Sequence, residues 1–339
     1  DIALDSDLLT IPEEDPTGLA ITGGSGKDTI TNTITGLLAP DGLALRTGPH
    51  SLTNAGKITG TDLNGASYLG GTGSDTINNT GTMAGGFTAA NGTEVVGSLN
   101  KLANSGSIGA RADGYSYMGG QLADTITNTG TLAGGVNAGA AGSTLALGNS
   151  FTNSGAVGAA SGYGLSYYAA GGMNTVTNTG TMAGAVDVGG SASTLTLINQ
   201  GHIGASIFGE GVIAQGGADT VTNGGAVGAT ARIDGVVSLA DGTNKLTNAG
   251  TIGADSFTGD SYRGGNGTDT IINSGVMTGG LDVGYAGVGT AANTLTNSGS
   301  VGVDLAGLSY RGDNGADTIA NTGKLLGTVD MRDSGATLL

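Results

Sequence analysis

Six carboxylates recur at one place in a repeating pattern: Asp28, Asp75, Asp124, Asp219, Asp269 and Asp317, with Asn174 taking the same place once. Glycine precedes most of them, as in GGSGKD from Gly23 and GGNGTD from Gly264. Hard cations such as calcium take carboxylate and carbonyl oxygens, so this series is where a metal would sit. Successive copies are about 49 residues apart, too far for one copy to complete its neighbour's ligand set. An Asp at a glycine-rich turn ordinarily accepts nearby backbone N–H groups. Turn capping is therefore the expectation, with no cofactor and calcium as the less favoured alternative. Seven residues ahead stands a second series, Tyr68, Tyr117, Tyr167, Tyr262 and Tyr310, with Val212 and Ile21 in the other two slots. Stacked tyrosines would give either a platform for sugar rings or a corner of the core with phenol groups reaching solvent; the second is expected. The histidines, His50 and His202, lie far apart, and no acidic cluster interrupts the repeat in the manner of a grafted pair of glycosidase carboxylates. The expectation is a protein that is not an enzyme, with a polysaccharide-active enzyme as the alternative. The absence of cysteine excludes disulfides, thiolate metal sites and cysteine nucleophiles.

Whatever these residues do, a periodic backbone must place them. One asparagine marks the period: Asn32, Asn54, Asn79, Asn104, Asn128, Asn153, Asn178, Asn199, Asn223, Asn248, Asn273, Asn297 and Asn321, at intervals of 21 to 25 residues. Around it the sequence alternates. Ile126, Asn128, Gly130, Leu132 and Gly134 fall on one side, and Thr125, Thr127, Thr129 and Thr131 on the other. Period two over this length specifies strand. A unit of some 24 residues has no second layer on which to bury its apolar side, so units must stack. The expected fold is all-β, a β-solenoid of about 13 coils of roughly 24–25 residues, on the order of 60 Å long at the spacing of paired strands. Stacking would set the asparagines one above another as an amide ladder, each donating to one neighbour and accepting from the other. Odd coils enter through the glycine-rich turn and Asp, even coils through SLTN, KLAN, SFTN or KLTN, so the true repeat is two coils.

The chain has 339 residues, 70 of them glycine, no Trp and a formal net charge of −16. Such a composition suggests low complexity, but a disordered chain has no reason to place Ile or Leu two residues before nearly every one of these asparagines. With 27 acidic against 11 basic residues and no basic cluster, nucleic acid and anionic membranes are excluded as partners. No apolar run approaches the roughly 20 residues of a membrane helix. Two segments are expected: residues 1–21, a strand and an acidic linker, and residues 22–339, the solenoid. The chain opens at Asp1 rather than Met, as one whose leader had been removed would.

The phrase I-x-N-x-G-x-I/L-x-G preceded by GG-x-G-x-DT, running from about Thr22 to Asp330, resembles the repeats of bacterial autotransporter passenger domains and filamentous-haemagglutinin-like adhesins. That resemblance implies a right-handed parallel β-helix located outside the cell or at its surface, serving attachment, aggregation or display. The GG-x-G-x-D string also resembles one unit of the calcium-binding RTX nonapeptides. The outward threonines resemble the face of β-helical ice-binding proteins, which makes ice binding a third alternative, although Lys57, Lys324, Ile272 and Val276 interrupt it. Partners are expected to be glycans or a cell surface, and further copies of the chain. A solenoid's last coil exposes unpaired strand edges; Ile2, Leu4, Leu8, Leu9 and Ile11 at one end and Leu338 and Leu339 at the other are the candidates for head-to-tail association into a filament.

Overall fold

The structure, a computed structural model, describes residues 2–4, 8–11, 21–23, 26–33, 37–38, 42–45, 48–71, 73–89, 99–120, 123–139, 148–190, 192–225, 230–284, 290–332 and 337–339. Up to residue 23, and at 37–38, the description is of the backbone alone. The chain is an all-β parallel solenoid of three sheets, with no helix among the described residues. It divides into two compact units, Asp1–Ser161 with Ser166–Gly172, and Gly162–Leu165 with Met173–Leu339.

One coil shows how the sequence makes each turn of either unit. Thr125–Asn128 lies in the first sheet, Thr131–Leu132 in the second and Gly135–Asn137 in the third. In the first two strands the alternation is literal: Ile126, Asn128 and Leu132 are buried while Thr125, Thr127, Thr129 and Thr131 are exposed. The bend between them passes through Gly130. A Cβ there would stand 2.1 Å from the Gly106 carbonyl oxygen of the preceding coil, so the N-x-G phrase is a packing requirement.

Because every coil reads alike, strands pair in parallel with like opposite like. Leu102 faces Ile126 and Asn104 faces Asn128; in the second unit Leu246 faces Ile271 and Asn248 faces Asn273. Register is strongly specified because a one-residue slip would turn the buried set outward. The third sheet contains β-bulges, at Tyr115/Tyr117, Asp260/Tyr262 and Leu308/Tyr310 among others. Each is pinned by the serine before its tyrosine: Ser116 Oγ accepts from Gly134 N at 2.7 Å, and Ser309 Oγ donates to Gly302 O at 2.7 Å and accepts from Gly327 N at 2.6 Å.

The N-terminal segment enters the sheets. Ile2–Leu4 pairs in parallel with Ile21–Gly23, and Leu8–Ile11 with Thr29–Asn32. It thus lies on the chain's own first repeat. The acidic stretch at 12–20 falls outside the described residues, as do the side chains of Ile2, Leu4, Leu8, Leu9 and Ile11.

Candidate functional site

The polar residues that the sequence places on the inner side form two columns. The first is made of the thirteen asparagines. In the first unit the Nδ2 of Asn32 donates to Asn54 Oδ1 at 2.7 Å, Asn54 to Asn79 at 2.6 Å, Asn79 to Asn104 at 2.7 Å, Asn104 to Asn128 at 2.8 Å and Asn128 to Asn153 at 2.8 Å. In the second, Asn178 donates to Asn199, Asn199 to Asn223, Asn248 to Asn273 and Asn273 to Asn297, each at 2.8 Å. Asn223 reaches Asn248 at 2.9 Å and Asn297 reaches Asn321 at 2.7 Å. The remaining N–H of each amide seals the following bend: Asn128 Nδ2 lies 3.2 Å from both Gly130 O and Ala156 O. The column begins at Asn32, whose Oδ1 has no donor among the described residues, the residue paired before it being Ile11.

The second column stands four residues ahead of the first and contains the six acids. They point inward along the stack and accept backbone N–H groups chiefly from the coil before, and Asp124 takes a further one from Gly120 of its own turn. His50 N donates to Asp75 Oδ1 at 3.0 Å, and Asp75 N to Asn100 Oδ1 at 3.0 Å. Asn100 donates to Asp124 Oδ1 from Nδ2 at 3.1 Å, and Asp124 N to Asn149 Oδ1 at 2.8 Å. In the second unit Leu195 N reaches Asp219 Oδ1 at 2.7 Å, Asn244 Nδ2 reaches Asp269 Oδ1 at 3.1 Å, and Asn293 N reaches Asp317 Oδ1 at 2.9 Å. Acids in odd coils thus alternate with His50, Asn100, Asn149, Asn244 and Asn293 in even ones. The amides among the even-coil members were not singled out in the sequence, yet a signal was there, since Asn100, Asn149, Asn244 and Asn293 each precede a ladder asparagine by four.

The tyrosines lie in the core, as favoured, but their phenols do not reach solvent and they offer no platform for a sugar: Tyr68, Tyr117, Tyr167, Tyr262 and Tyr310 are all 0% exposed. Their rings interleave with other aromatics, Tyr68 on Phe87 at 4.7 Å, Phe87 on Tyr117 at 5.2 Å and Phe151 on Tyr167 at 5.5 Å between centroids. Their hydroxyls meet the acid column. Tyr310 donates to Asp317 Oδ2 at 2.9 Å. Tyr68, Tyr117 and Tyr262 stand against Asp75, Asp124 and Asp269 in the equivalent places and hydrogen-bond them in poorer geometry than Tyr310 does Asp317. A glycine two residues after Tyr68, Tyr117, Tyr262 and Tyr310 makes the room. A Cβ on Gly119 would lie 1.9 Å from Asp124 Oδ2, and one on Gly264 1.9 Å from Asp269 Oδ2. Where the acid is Asn174 or the tyrosine is Val212, that residue is Ala169 or Ala214. The GG-x-G-x-D string is therefore explained by packing of Tyr, Gly and Asp in the interior.

Burial dominates the electrostatics. It pushes the carboxyls of Asp75, Asp124 and Asp269 up to about 7 and that of Asp219 to about 6, and raises Asp317 in the same direction. Burial lowers His50, although the Asp28 carboxylate 3.2 Å from its Nδ1 opposes this. Among the described residues no group of three or more His, Cys, Asp or Glu side chains is arranged to hold a metal ion.

The second unit adds a charged cluster on its third sheet. Arg263 pairs with Asp255 and with Asp260, at 3.3 Å in the latter case. Arg311 bridges Asp282 at 3.1 Å and Asp304 at 2.9 Å. The signal for it is the Tyr-Arg dipeptide at 262–263 and 310–311, where other coils have Leu69, Met118 or Ile213. The outward threonines of the first sheet lie where the alternation puts them, Thr125, Thr127, Thr152 and Thr296 all exposed. Leu338 and Leu339 are exposed as well.

No family model matches this chain, and neither a curated protein nor a solved structure does.

Proposed function

We propose that this chain is an extracellular or cell-surface β-solenoid with a structural and adhesive role, a rod that associates head to tail with further copies and presents its outer faces to glycans or to a neighbouring cell. The observation that carries this reading is the repetition itself: in both units the same strand register and the same side-chain bonds recur coil after coil, so the polar residues serve to hold coils together. Regularity of this kind is what a load-carrying or spacing element requires. The resemblance of the I-x-N-x-G phrase to autotransporter passengers and haemagglutinin-like adhesins supports the surface location. For association, Ile2–Leu4 and Leu8–Ile11 are the outermost described strands at one end of their sheets, and Thr328–Asp330 with Thr337–Leu338 at the other, and a strand of a further copy would add there.

Electron microscopy and sedimentation of the purified protein test the reading. Filaments are expected for the full chain, and single short rods with unchanged β-sheet circular dichroism after deletion of Asp1 to Asp15. A full chain that stays monomeric at high concentration would refute the polymer and leave an adhesive rod, for which binding to a glycan array is the remaining test.

A further inference from the structure

The inner acid column poses a question that the Asn ladder does not. Each amide of the ladder carries both donors and an acceptor, so it satisfies itself by stacking. A carboxylate carries acceptors only. Asp75, Asp124 and Asp269 are 0%, 0% and 1% exposed, and each has one oxygen, Oδ1, that accepts from the coil before. The other oxygen, Oδ2, is buried against a glycine and faces the tyrosine hydroxyl, whose hydrogen bond favours the ionised form less than burial disfavours it. An ionised carboxylate in such a place is costly, and the glycine contact leaves no space for a counter-ion beside it. Nothing positively charged is among the groups that face these acids. Asp75 faces Tyr68, with His50 in the column before it and Asp28 beyond; Asp124 faces Tyr117, Tyr167 and Asn100, with Asp75 beyond; Asp269 faces Tyr262, Asn244, Asp313 and Asp317, with Asp219 and Tyr310 beyond. The chain itself gives the isostere, because Asn174 fills the same slot as these acids and neutral amides fill it in alternate coils.

We propose that the acid column is a proton-loaded device: Asp75, Asp124 and Asp269 are folded as neutral carboxylic acids with the proton on Oδ2 against the tyrosine, and their ionisation loosens the coils that hold them. The sign follows from linkage. With folded values near 7 and unfolded values near 4, the native state binds more protons between those limits. Stability contributed by these groups is complete below the unfolded value and falls as pH rises through the folded one. Each carboxyl lowers the folding equilibrium constant by about tenfold per pH unit across that window. His50 and Asp234, both shifted down, act in the opposite sense and lose their contribution as pH falls. The device therefore has to be read from variants rather than from the total slope. It makes the solenoid tightest in mildly acidic surroundings.

The test compares urea midpoints from pH 4 to 9 for the wild type and for Asp75→Asn, Asp124→Asn and Asp269→Asn, singly and together. Each substitution is expected to remove its share of the decline between pH 4 and 7, so that the triple variant gains on the wild type as pH rises. An unchanged slope in the variants overturns the proposal. Should the triple variant fail to fold, infrared spectra of the wild type decide. A protonated-carboxyl carbonyl band present at pH 5 and lost by pH 9 is expected, and its absence at pH 5 overturns the proposal.

Discussion

Replacing Asn128 by Leu keeps the branched shape of the side chain and removes its hydrogen-bonding groups. In the structure Asn128 accepts from Asn104 Nδ2 at 2.8 Å and donates to Asn153 Oδ1 at 2.8 Å. Asn104 keeps two weaker contacts, to Gly106 O at 3.3 Å and Thr131 O at 3.2 Å, while Asn153 Oδ1 and Ala156 O each lose a donor. Leaving a buried polar group unsatisfied costs about 1–3 kcal/mol. Two such groups put the loss at roughly 2–6 kcal/mol, offset in part by burying an apolar side chain. Thr129→Ala, one residue on and exposed, gives up a contact of 3.4 Å to Asn104 O and should stay within about 0.5 kcal/mol, as surface substitutions usually do. Asn321→Leu lies between the two, because Asn321 is half-buried, accepts from Asn297 at 2.7 Å and, among the described residues, donates to Gly323 O alone, at 3.4 Å. Denaturant titrations of the three variants, compared at constant m-value, give the order Asn128, Asn321, Thr129. Equal small losses at all three positions would refute the claim that the amide column, rather than the apolar strand faces alone, holds neighbouring coils together.

Three further outcomes follow from the same geometry. Gly119→Ala should destabilise, because its Cβ would fall 1.9 Å from Asp124 Oδ2. Coupling measured in a double-mutant cycle with Asp124→Ala should recover part of the loss, and strict additivity would refute the contact. Arg311→Ala leaves Asp282 and Asp304, both nearly buried, without their cation and should cost about 3–5 kcal/mol; Arg311→Lys should not restore it fully, since one ammonium replaces a fork that reaches two carboxylates. Thermal denaturation with and without a chelator should give nearly the same midpoint, because the six acids of the GG-x-G-x-D series point into the interior; a large drop would return calcium to consideration.

How much of this was legible in the residues varies with how local the cause is. The alternation around each asparagine is a property of consecutive residues, and it carried the strand assignment, the stacking and the inward asparagine side without reference to anything distant. Identical coils can only stack like on like, so Asn104 opposite Asn128 was implied once the period was known. The tyrosines and the acids behaved otherwise. Nothing in SY-x-GG says which way the ring points. That is decided by the bulge at the serine and by the glycine two residues on, which let an aromatic ring and a carboxyl share the interior of one coil. The partners of Asp124 include Asn100 and Asn149, one coil to either side, and the cation that bridges Asp282 and Asp304 is carried by the strand Leu308–Arg311, one coil on from Asp282. Sequence period determined that coils stack and which asparagines meet. Only the tertiary structure decided that the acids and tyrosines share the interior, because burial, and the protonation it favours, depends on how ring, glycine and carboxyl pack together once the coils are stacked.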